Sequence, residues 1–303
     1  ATLPVAEETG NLTLRPNSIV QEITYDAANG RATGVRIKDA ETGEQLTISA
    51  RIIFCNASTV GTTAILLNSR SEAFPNGLGN SSGHLGHNLM DHHFQVGARG
   101  RAEGFDDKYY YGRRPNGIYI PRFRNLNGEK RDYLRGFGYQ GGASRSGWSR
   151  DVAELGFGAP MKDALTEPGP WSMGITAFGE ILPYHENTIK LSDSVKDKWG
   201  MEALVMNAEI KQNELNMRKD MMADAAEMLE IAGFKDVKTY DNGYTFGQGI
   251  HEMGTARMGR DPKTSVLNGN NQVWDAPNVF VTDGSFMTSA NCVNPSLTYM
   301  AFT

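Results

Sequence analysis

The sequence has little cysteine, no long apolar run and no excess of positive charge. Its 303 residues include two cysteines, Cys55 and Cys292, too few for a scaffold held together by disulfides. No apolar run approaches the ~18 residues of a membrane-spanning helix, so we predict no membrane span. Lys and Arg total 30 against 35 Asp and Glu, a net charge of −5. Nucleic acids and anionic membranes attract basic surfaces, so neither is expected as a partner.

The sequence does have the composition of a folded globular protein. Hydrophobic residues make up 39% and charged residues 21%, which is ordinary for a chain that buries a core. The length corresponds to two domains of roughly 100–200 residues each. The 34 glycines exceed the usual share of about 7%, which indicates many tight turns and a loop-rich enzyme.

Both ends of the sequence suggest that it is part of a longer protein. Residue 1 is alanine, and no signal-peptide pattern follows it. At the other end, Asn294 is a good helix cap and Pro295 suits the first helical position. Only about two turns then follow, which is short for a helix. We therefore expect a fragment truncated at both ends, and no compartment is predicted.

Residues 12–60 are predicted to be mostly β structure. Runs of β-branched and aromatic residues flank an Asn-Gly turn at residues 29–30, which favours a meander of short strands. The predicted strands are residues 12–15, 18–25, 33–38 and 45–49. Residues 51–55 are almost all apolar, which predicts a strand buried on both faces in a parallel sheet. A helix capped by Ser58 or Thr59 comes next.

The rest of the chain is less regular. Residues 70–90 are polar and rich in glycine, which predicts a long loop. Residues 95–248 mix short strands and loops with one clear helix over residues 214–232. In that helix Leu, Met and Ala recur at helical spacing, as expected for core packing, and Gly233 ends it. The last predicted strand covers residues 278–282.

The one dinucleotide-binding pattern in the sequence is predicted not to bind phosphate. Gly136, Gly138 and Gly141 match G-x-G-x-x-G, which needs a buried strand before it and an amphipathic helix after it. The flanking residues 131–135 and 142–147 provide neither. We interpret the segment as a glycine-rich loop in a substrate-facing domain.

Four histidines, His84, His87, His92 and His93, lie within ten residues. Their spacing matches no standard zinc pattern, which has three or four ligands and usually includes Cys or Glu. We predict a polar loop in which each histidine has its own hydrogen bonds, and no metal site. His185 is isolated in the sequence and is predicted to lie in a surface turn.

The segment that begins at His251 is a candidate for catalysis. It reads His-Glu-Met-Gly-Thr-Ala-Arg-Met-Gly, and its glycines allow a close backbone around an accessible imidazole. It is not a zinc-protease motif, because the second histidine is missing. A lone histidine is often structural, so that alternative stays open at this point.

The C-terminal segment favours a ligand site. The predicted strand ends at Asp283 and Gly284, and ligands of α/β folds bind at the carboxyl ends of strands. Asn294 and Pro295 then begin a helix, whose free N–H groups suit an anion. The N1–C2=O edge of a flavin becomes anionic on reduction, and the Asn294 amide would be a donor beside it. Cys292 is interpreted as a small buried residue, with a place in the flavin pocket as the alternative.

Together these motifs resemble the glucose–methanol–choline family of flavin oxidoreductases. The resemblance rests on the order and spacing of residues 251–259, residues 278–284 and the Asn-Pro pair at 294–295. Further similarity to the family's adenine-side strands and flavin-domain loop lies in residues 11–20, 32–35, 52–58 and 85–92. The sequence is most similar in character to bacterial sugar dehydrogenases of the gluconate and FAD-glucose type.

The resemblance implies an α/β protein, α+β overall, with two domains. Residues 1–94 and 249–303 would form a Rossmann-like FAD-binding domain. The substrate domain, residues 95–248, would be an antiparallel sheet with helices. The family's N-terminal strand–G-x-G-x-x-G–helix unit, which holds the FAD pyrophosphate, is missing from this sequence. We therefore expect the fragment alone to hold FAD weakly and to be inactive.

The resemblance also implies roles for individual residues. His251 would be the catalytic base, with hydride passing from the substrate to flavin N5. Asn294, which some family members replace with histidine, would be a catalytic residue that binds the substrate oxygen. The residues implied to contact FAD, from the adenine side to the isoalloxazine ring, are Val20, Cys55, Asn56, Ala57, Asp283, Gly284, Asn294, Pro295 and Thr298.

The predicted function is FAD-dependent oxidation of an alcohol group of a sugar or related polyol, by a dehydrogenase rather than an oxidase. The electron acceptor stays open among a quinone, a cytochrome and oxygen, and a small or cytochrome subunit is a further expected partner. Two other classes also stay open. One is a non-catalytic sugar-binding or assembly protein that reuses the fold, and the other is a metal-dependent enzyme that uses the histidines of residues 84–93.

Overall fold

The computed structural model describes residues 2–107, 117–145, 157–166 and 169–303. These residues form helices and mostly antiparallel sheets around two large hydrophobic cores and one small cluster, which confirms the predicted mixed fold class. None of the helices in these ranges has both the length and the apolar character needed to cross a membrane.

The elements are numbered in chain order. The strands are β1 (Ser18–Asp26), β2 (Arg31–Asp39), β3 (Gln45–Ser49), β4 (Ile53–Phe54), β5 (His87–Met90), β6 (His92–Arg101), β7 (Gly117–Ile120), β8 (Phe137–Arg145), β9 (Trp171–Glu180), β10 (Thr188–Lys196), β11 (Glu202–Asn207), β12 (Lys235–Asp241), β13 (Met253–Thr255) and β14 (Val279–Phe280). The helices are α1 (Thr2–Glu8), α2 (Ser58–Asn68), α3 (Ala159–Thr166), α4 (Gln212–Ile231) and α5 (Ser296–Phe302).

The first core joins early and late parts of the chain. Strands β1, β2 and β3 form an antiparallel sheet, which confirms three of the predicted strands. The turn between β1 and β2 is closed by Asp26, whose carboxylate accepts hydrogen bonds from the backbone of Ala28 and Asn29. The predicted strand over residues 12–15 was wrong. Leu12 and Leu14 are exposed, so this run has no core to cover.

Strand β4 pairs in parallel with β14, as the apolar run over residues 51–55 predicted. The side chain of Asn278 ties this pair to β2 by bonding to both the N–H and the carbonyl of Ala32. Burial on both faces was wrong, because Phe54 is 52% exposed. The described pair has only two strands, and the Phe54 ring lies outside the core, stacked on Phe280.

The second core lies between an antiparallel sheet and α4. The strand order in this sheet is β12-β6-β9-β8-β7. Helix α4 confirms the helix predicted over residues 214–232, and it buries Met217, Met221 and Leu229 against one face of the sheet. The methionines are therefore core residues, as expected.

Most of the G-x-G-x-x-G segment lies in β8, and Gly136 directly precedes the strand, so the loop prediction was wrong. Gly138 and Gly141 pair in antiparallel register with Phe178 and Ile175 of β9. A Cβ atom on Gly141 would collide with the carbonyl oxygen of Gly174. The glycines thus allow close strand packing, because they remove side chains where backbones approach.

The β10–β11 hairpin packs on the first core rather than on the five-stranded sheet. The backbone N–H of Leu89 donates to Asn187 at 3.0 Å, and that of Ile189 donates to Gly86 at 2.8 Å. The hairpin lies within residues 95–248, so the chain crosses between the cores more often than three segments imply. The division at residues 1–94, 95–248 and 249–303 stays a prediction.

Candidate active site

A short strand pair brings His251 to the histidine-rich segment. In the antiparallel pair of β13 and β5, Met253 faces Met90 and Thr255 faces His87. Gly254 makes this approach possible, since its φ is +94° and a Cβ atom there would collide with the carbonyl oxygen of Asn88. The pairing places His251 beside the residues that follow β5.

Asp91 anchors the backbone on both sides of the site. Its side chain is fully buried. The Oδ1 atom accepts a hydrogen bond from the His92 backbone N–H at 2.7 Å and from the His251 backbone N–H at 3.1 Å. One carboxylate oxygen therefore fixes the positions of two histidines that are far apart in the sequence.

The second oxygen of Asp91 fixes the segment that precedes His251. Its Oδ2 atom accepts hydrogen bonds from the Tyr244 hydroxyl at 2.6 Å and from the backbone N–H groups of Gly247 and Gly249 at 3.1 Å each. Burial and the Asp91 carboxylate raise the pKa of Tyr244, so its hydroxyl stays a donor. A Cβ atom on Gly249 would collide with the carboxylate.

The two predicted catalytic residues lie side by side. The Nδ2 atom of Asn294 is 3.5 Å from the Nε2 atom of His251. Asn294 is exposed and His251 is half-buried, so this end of the pair is accessible. On the other side of the ring, the Nδ1 atom of His251 lies 3.0 Å from Nδ1 of His92. His251 therefore has one partner on each side, a buried histidine and an exposed amide.

A cavity of about 420 Å³ is lined by residues of the C-terminal part of the chain and by residues of the five-stranded sheet region. Thr298 and Ser289 are among the C-terminal residues that line it. Arg122, Arg135 and Glu180 come from the five-stranded sheet and the loops beside it. The buried Glu180 carboxylate accepts a hydrogen bond from the Ser289 hydroxyl at 2.5 Å. Thr298, predicted at the isoalloxazine ring, thus lines a space that also contains polar and charged groups.

A second cavity, of about 470 Å³, contains the predicted adenine-side residues. Val20, Cys55, Asn56 and Ala57 all line it, together with apolar residues of the first core. The backbone N–H groups of Cys55 and Ala57 already donate to Phe280 and Thr62. The cavity therefore offers mainly apolar surface, which fits a flat aromatic ring such as adenine.

Both oxygens of the Asp283 carboxylate accept hydrogen bonds from within the protein. Its Oδ2 atom accepts the Thr62 hydroxyl at 2.5 Å, and its Oδ1 atom accepts the Ser285 hydroxyl and backbone N–H. A Cβ atom on Gly284 would crowd the Glu252 carbonyl, so the backbone must pass closely there. Both residues shape the turn after β14, and contact of their backbone with FAD stays a prediction.

Helix α5 begins one residue later than predicted. Pro295, not Asn294, is the N-cap residue, and no side chain caps the helix among the described residues. The Asn294 side chain is directed to His251 instead. Pro295 itself is buried. The displaced cap leaves the Asn294 amide available to the site.

The histidine-rich segment separates into two groups. His84 and His87 lie against His185, with the rings of His87 and His185 stacked at 4.1 Å. His185 lies in an exposed turn, as predicted. It is isolated in the sequence, but it meets His87 because β5 and the turn before β10 come together in the fold. Within the described ranges, no group of three or more His, Cys, Asp or Glu residues is arranged to hold a metal ion.

Both cysteines are buried thiols. No disulfide links Cys55 or Cys292 in the part of the chain that the structure describes. Burial raises the pKa of each thiol to about 11, so neither is a thiolate at neutral pH. For Cys292 this favours the interpretation as a small buried residue.

Asp91 and His92 belong to the site, although neither was predicted as a site residue from the sequence. Both were noticed only as members of a motif and of a histidine cluster. A signal was present, because the polar pair Asp91-His92 follows the apolar residues Leu89 and Met90 and opens a strand. Buried polar residues at such a place need partners, which is a reason to look for a site.

Two family models described as GMC oxidoreductase match the chain, one over residues 1–94 and one over residues 183–303. The chain belongs to the GMC oxidoreductase family, whose members are FAD-dependent oxidoreductases that act on CH–OH groups. This confirms the resemblance on which the sequence analysis relied.

The chain is similar in sequence to curated relatives from several bacteria. It is 34% identical to 2-methyl-1,2-propanediol dehydrogenase of Mycolicibacterium austroafricanum, over 94% of this chain and 52% of the relative. It is 24% identical to the gluconate 2-dehydrogenase flavoprotein of Pantoea cypripedii, over 97% of this chain and 49% of the relative. The chain thus spans about half the length of the curated relatives it matches.

A solved structure supports the fold. A formate oxidase variant from Aspergillus oryzae superposes with a TM-score of 0.62 at 14% identity, covering 98% of this chain and 60% of that chain. At this identity the likeness concerns the fold alone.

Proposed function

We propose that the protein containing this chain is a dehydrogenase that uses FAD to oxidise an alcohol group of a sugar or related polyol. The observation that carries the proposal is the pair of His251 and Asn294, whose side chains approach within 3.5 Å at an accessible position. The two relatives described above, which act by their names on a diol and on gluconate, support this substrate class.

His251 is the base in this proposal. A substrate hydroxyl lies between Nε2 of His251 and Nδ2 of Asn294, and His251 accepts its proton as the O–H bond breaks. Asn294 donates a hydrogen bond to the substrate oxygen and fixes its orientation. Asn294 cannot accept a proton as a base, so His251 carries the proton transfer alone. FAD, when bound, supplies the hydride acceptor at N5.

The residues present fit FAD at both of its ends. The apolar cavity of Val20, Cys55, Asn56 and Ala57 suits the adenine ring. At the other end, the cavity that contains Thr298 suits the isoalloxazine ring. In the proposal Asp283, Gly284, Asn294 and Pro295 complete the cofactor contacts between these two ends. The Asp283 carboxylate has its partners in the protein, so it acts by shaping the backbone.

The alternative of a non-catalytic protein that reuses the fold is less well supported. A binding protein would not need a buried carboxylate with five hydrogen bonds to position one imidazole. Asp91 has such bonds, and they converge on the segments that carry His92 and His251. The electron acceptor and a small or cytochrome subunit stay predictions.

The proposal is tested by His251→Ala in the whole FAD-loaded protein. We expect turnover of the sugar or polyol to fall by about 10²–10⁴-fold, the usual contribution of a general base. The visible flavin absorbance of the variant should match that of the wild type. His185→Ala is the matched control, because His185 lies in the other histidine group. Near-normal turnover in His251→Ala would remove His251 from the mechanism.

A second measurement distinguishes a dehydrogenase from an oxidase. Flavin absorbance is recorded while glucose, gluconate or a small diol is added without oxygen, and bleaching identifies the substrate. Reoxidation is then timed with oxygen, a quinone and a cytochrome in turn. Fast reoxidation by oxygen would contradict the dehydrogenase assignment, and a colourless protein that takes up no FAD would contradict the flavoenzyme itself.

A further inference from the structure

His92 lies directly behind the proposed base. Its Nδ1 atom is 3.0 Å from Nδ1 of His251, and its Nε2 atom is 3.0 Å from the carbonyl oxygen of Ala290. The ring is 1% exposed and meets the His251 ring edge to face, with centroids 4.9 Å apart. Ala290 is itself buried against Met90 and Met253, so the carbonyl is held in place.

The carbonyl determines where the hydrogens lie in this chain of contacts. A carbonyl oxygen only accepts, so Nε2 of His92 carries a hydrogen. A neutral His92 then has a bare Nδ1 atom, which accepts the Nδ1–H of His251. A neutral imidazole has one ring hydrogen, so Nε2 of His251 is left without one. That is the atom beside Asn294.

The surroundings of His92 favour its neutral form. Burial lowers the pKa of His92, and this is the largest effect. The hydrogen bond to Ala290 and the charges of Asp91 and Glu180 raise the pKa, while His251 lowers it further. The net direction is downward from the ordinary value of about 6.5, so His92 is neutral around pH 7.

We propose that His92 is a positioning residue that holds His251 in the Nδ1–H tautomer and keeps Nε2 free to accept a proton. The tautomer follows from the contacts alone, whereas its value for catalysis rests on the proposed function. When the substrate O–H bond breaks and the proton joins Nε2, His251 becomes a cation. Its Nδ1–H bond to His92 is then charge-assisted, so His92 also stabilises the protonated base.

The next residue along the strand provides a matched control. His93 is as buried as His92, but it lies on the opposite face of β6. A Cβ atom on Gly179 would collide both with Nε2 of His93 and with the tip of Met221 on α4, so the glycine leaves room for both side chains. Neither of its ring nitrogens has a hydrogen-bond partner in the described part of the chain. The His93 ring also meets the ring of Tyr244, with centroids 6.4 Å apart, so the control is the aromatic replacement His93→Phe, which keeps a ring there and leaves the contact of His92 with His251 unchanged.

The tautomer is measured directly by nitrogen NMR of the whole FAD-loaded protein labelled with ¹⁵N-histidine. The ring nitrogens of His251 are assigned by their loss in His251→Ala. We expect Nδ1 to carry the hydrogen in the wild type and in His93→Phe, and we expect the Nε2–H form to gain population in His92→Phe. A wild-type protein with His251 mainly in the Nε2–H form would overturn the proposal, whatever its activity.

Kinetics test the consequence of the tautomer. Partners of functional histidines at metal sites are worth about 10–100-fold, and we expect His92→Phe to lower kcat by a similar factor with KM nearly unchanged. His92→Asn keeps an oxygen acceptor near the position of Nδ1 and should restore most of the rate. His93→Phe should keep the wild-type kcat.

The double variant separates positioning from simple packing. If His92 acts through His251, then His92→Phe should cost nothing further in a His251→Ala background. An additional loss there, or an Asn variant as slow as the Phe variant, would show a structural role and overturn the proposal. If His251→Ala itself is active, the proposed function fails, while the NMR result still decides the tautomer.

Discussion

The two faces of strand β6 give a buried histidine different surroundings. On one face, His92 has a partner at each ring nitrogen and connects to Asp91, His251 and Ala290. On the other face, His93 lies beside Met221 of α4 and the ring of Tyr244, and neither ring nitrogen has a described partner. Two identical side chains, one residue apart, therefore have different roles. The chemistry depends on the partners that the face supplies, not on the residue type.

The largest loss of stability should come from Asp91→Ala, which removes the carboxylate that holds the segments of His92 and His251. Hydrogen bonds to a charged group contribute about 1.5–3 kcal/mol each, and this carboxylate accepts five. We expect the free energy of unfolding to fall by at least about 3 kcal/mol, measured by denaturant titration. Asp193→Ala, at an exposed site on β10, is the control. Equal losses for the two variants would contradict the anchoring role.

Gly254→Ala tests the backbone approach that brings β13 to β5. The variant combines a φ of +94° with a collision against the Asn88 carbonyl. We expect a loss of about 2–3 kcal/mol, near the upper end for backbone strain. Gly233 has a similar φ of +89° but open space around its Cβ position, so Gly233→Ala measures strain alone. The same loss at both positions would show that the collision is relieved without cost.

His93→Phe tests how the burial of His93 makes the stability of the protein depend on pH. Burial lowers the pKa of His93 to about 3, so below pH 6.5 the unfolded chain binds a proton that the native state does not. Stability is therefore lost as the pH falls from about 6.5 towards 3. At pH 5 the stability lost in this way amounts to about 2 kcal/mol, at about 1.4 kcal/mol per pH unit. The Phe variant should lack it, and an unchanged pH profile of unfolding would contradict this account.

The smallest effect is expected away from both faces. Arg70 and Glu202 form a two-pronged ion pair, with N–O distances of 2.9 and 3.1 Å, but both side chains are partly exposed. We expect Arg70→Ala to change the free energy of unfolding by less than about 1 kcal/mol. A larger loss would mean that this pair holds the β10–β11 hairpin onto the first core.

Local pattern was enough to predict much of the fold. The spacing of Leu, Met and Ala predicted α4, alternation and turn residues predicted β1 to β3, and the apolar run before Cys55 predicted a parallel strand. Where a predicted element was wrong, the reason was the presence or absence of a neighbouring strand, which the sequence does not show. Gly138 and Gly141 lie in a strand because β9 packs closely against them. Leu12 and Leu14 are exposed and pair with no strand among the described residues.

The candidate site divides in the same way. The family motifs indicated His251 and Asn294, and the structure brings their side chains together. The same reasoning assigned no role to Asp91 or His92, and it treated His92 and His93 as members of one cluster. A one-residue step along a strand reverses the direction of a side chain, so only the folded structure shows which of the two histidines meets His251.

The sequence by itself determined the types of most elements, the family and the pair of residues that the proposed chemistry needs. These depend on residue types and spacing along the chain, which the printed sequence contains. Tertiary structure alone decided which ring nitrogen of His251 is free, that the Asp91 carboxylate holds two distant segments, and that His185 meets His87. Those are contacts between residues as many as 160 positions apart, and hydrogen-bond direction follows from atoms in space rather than from their order.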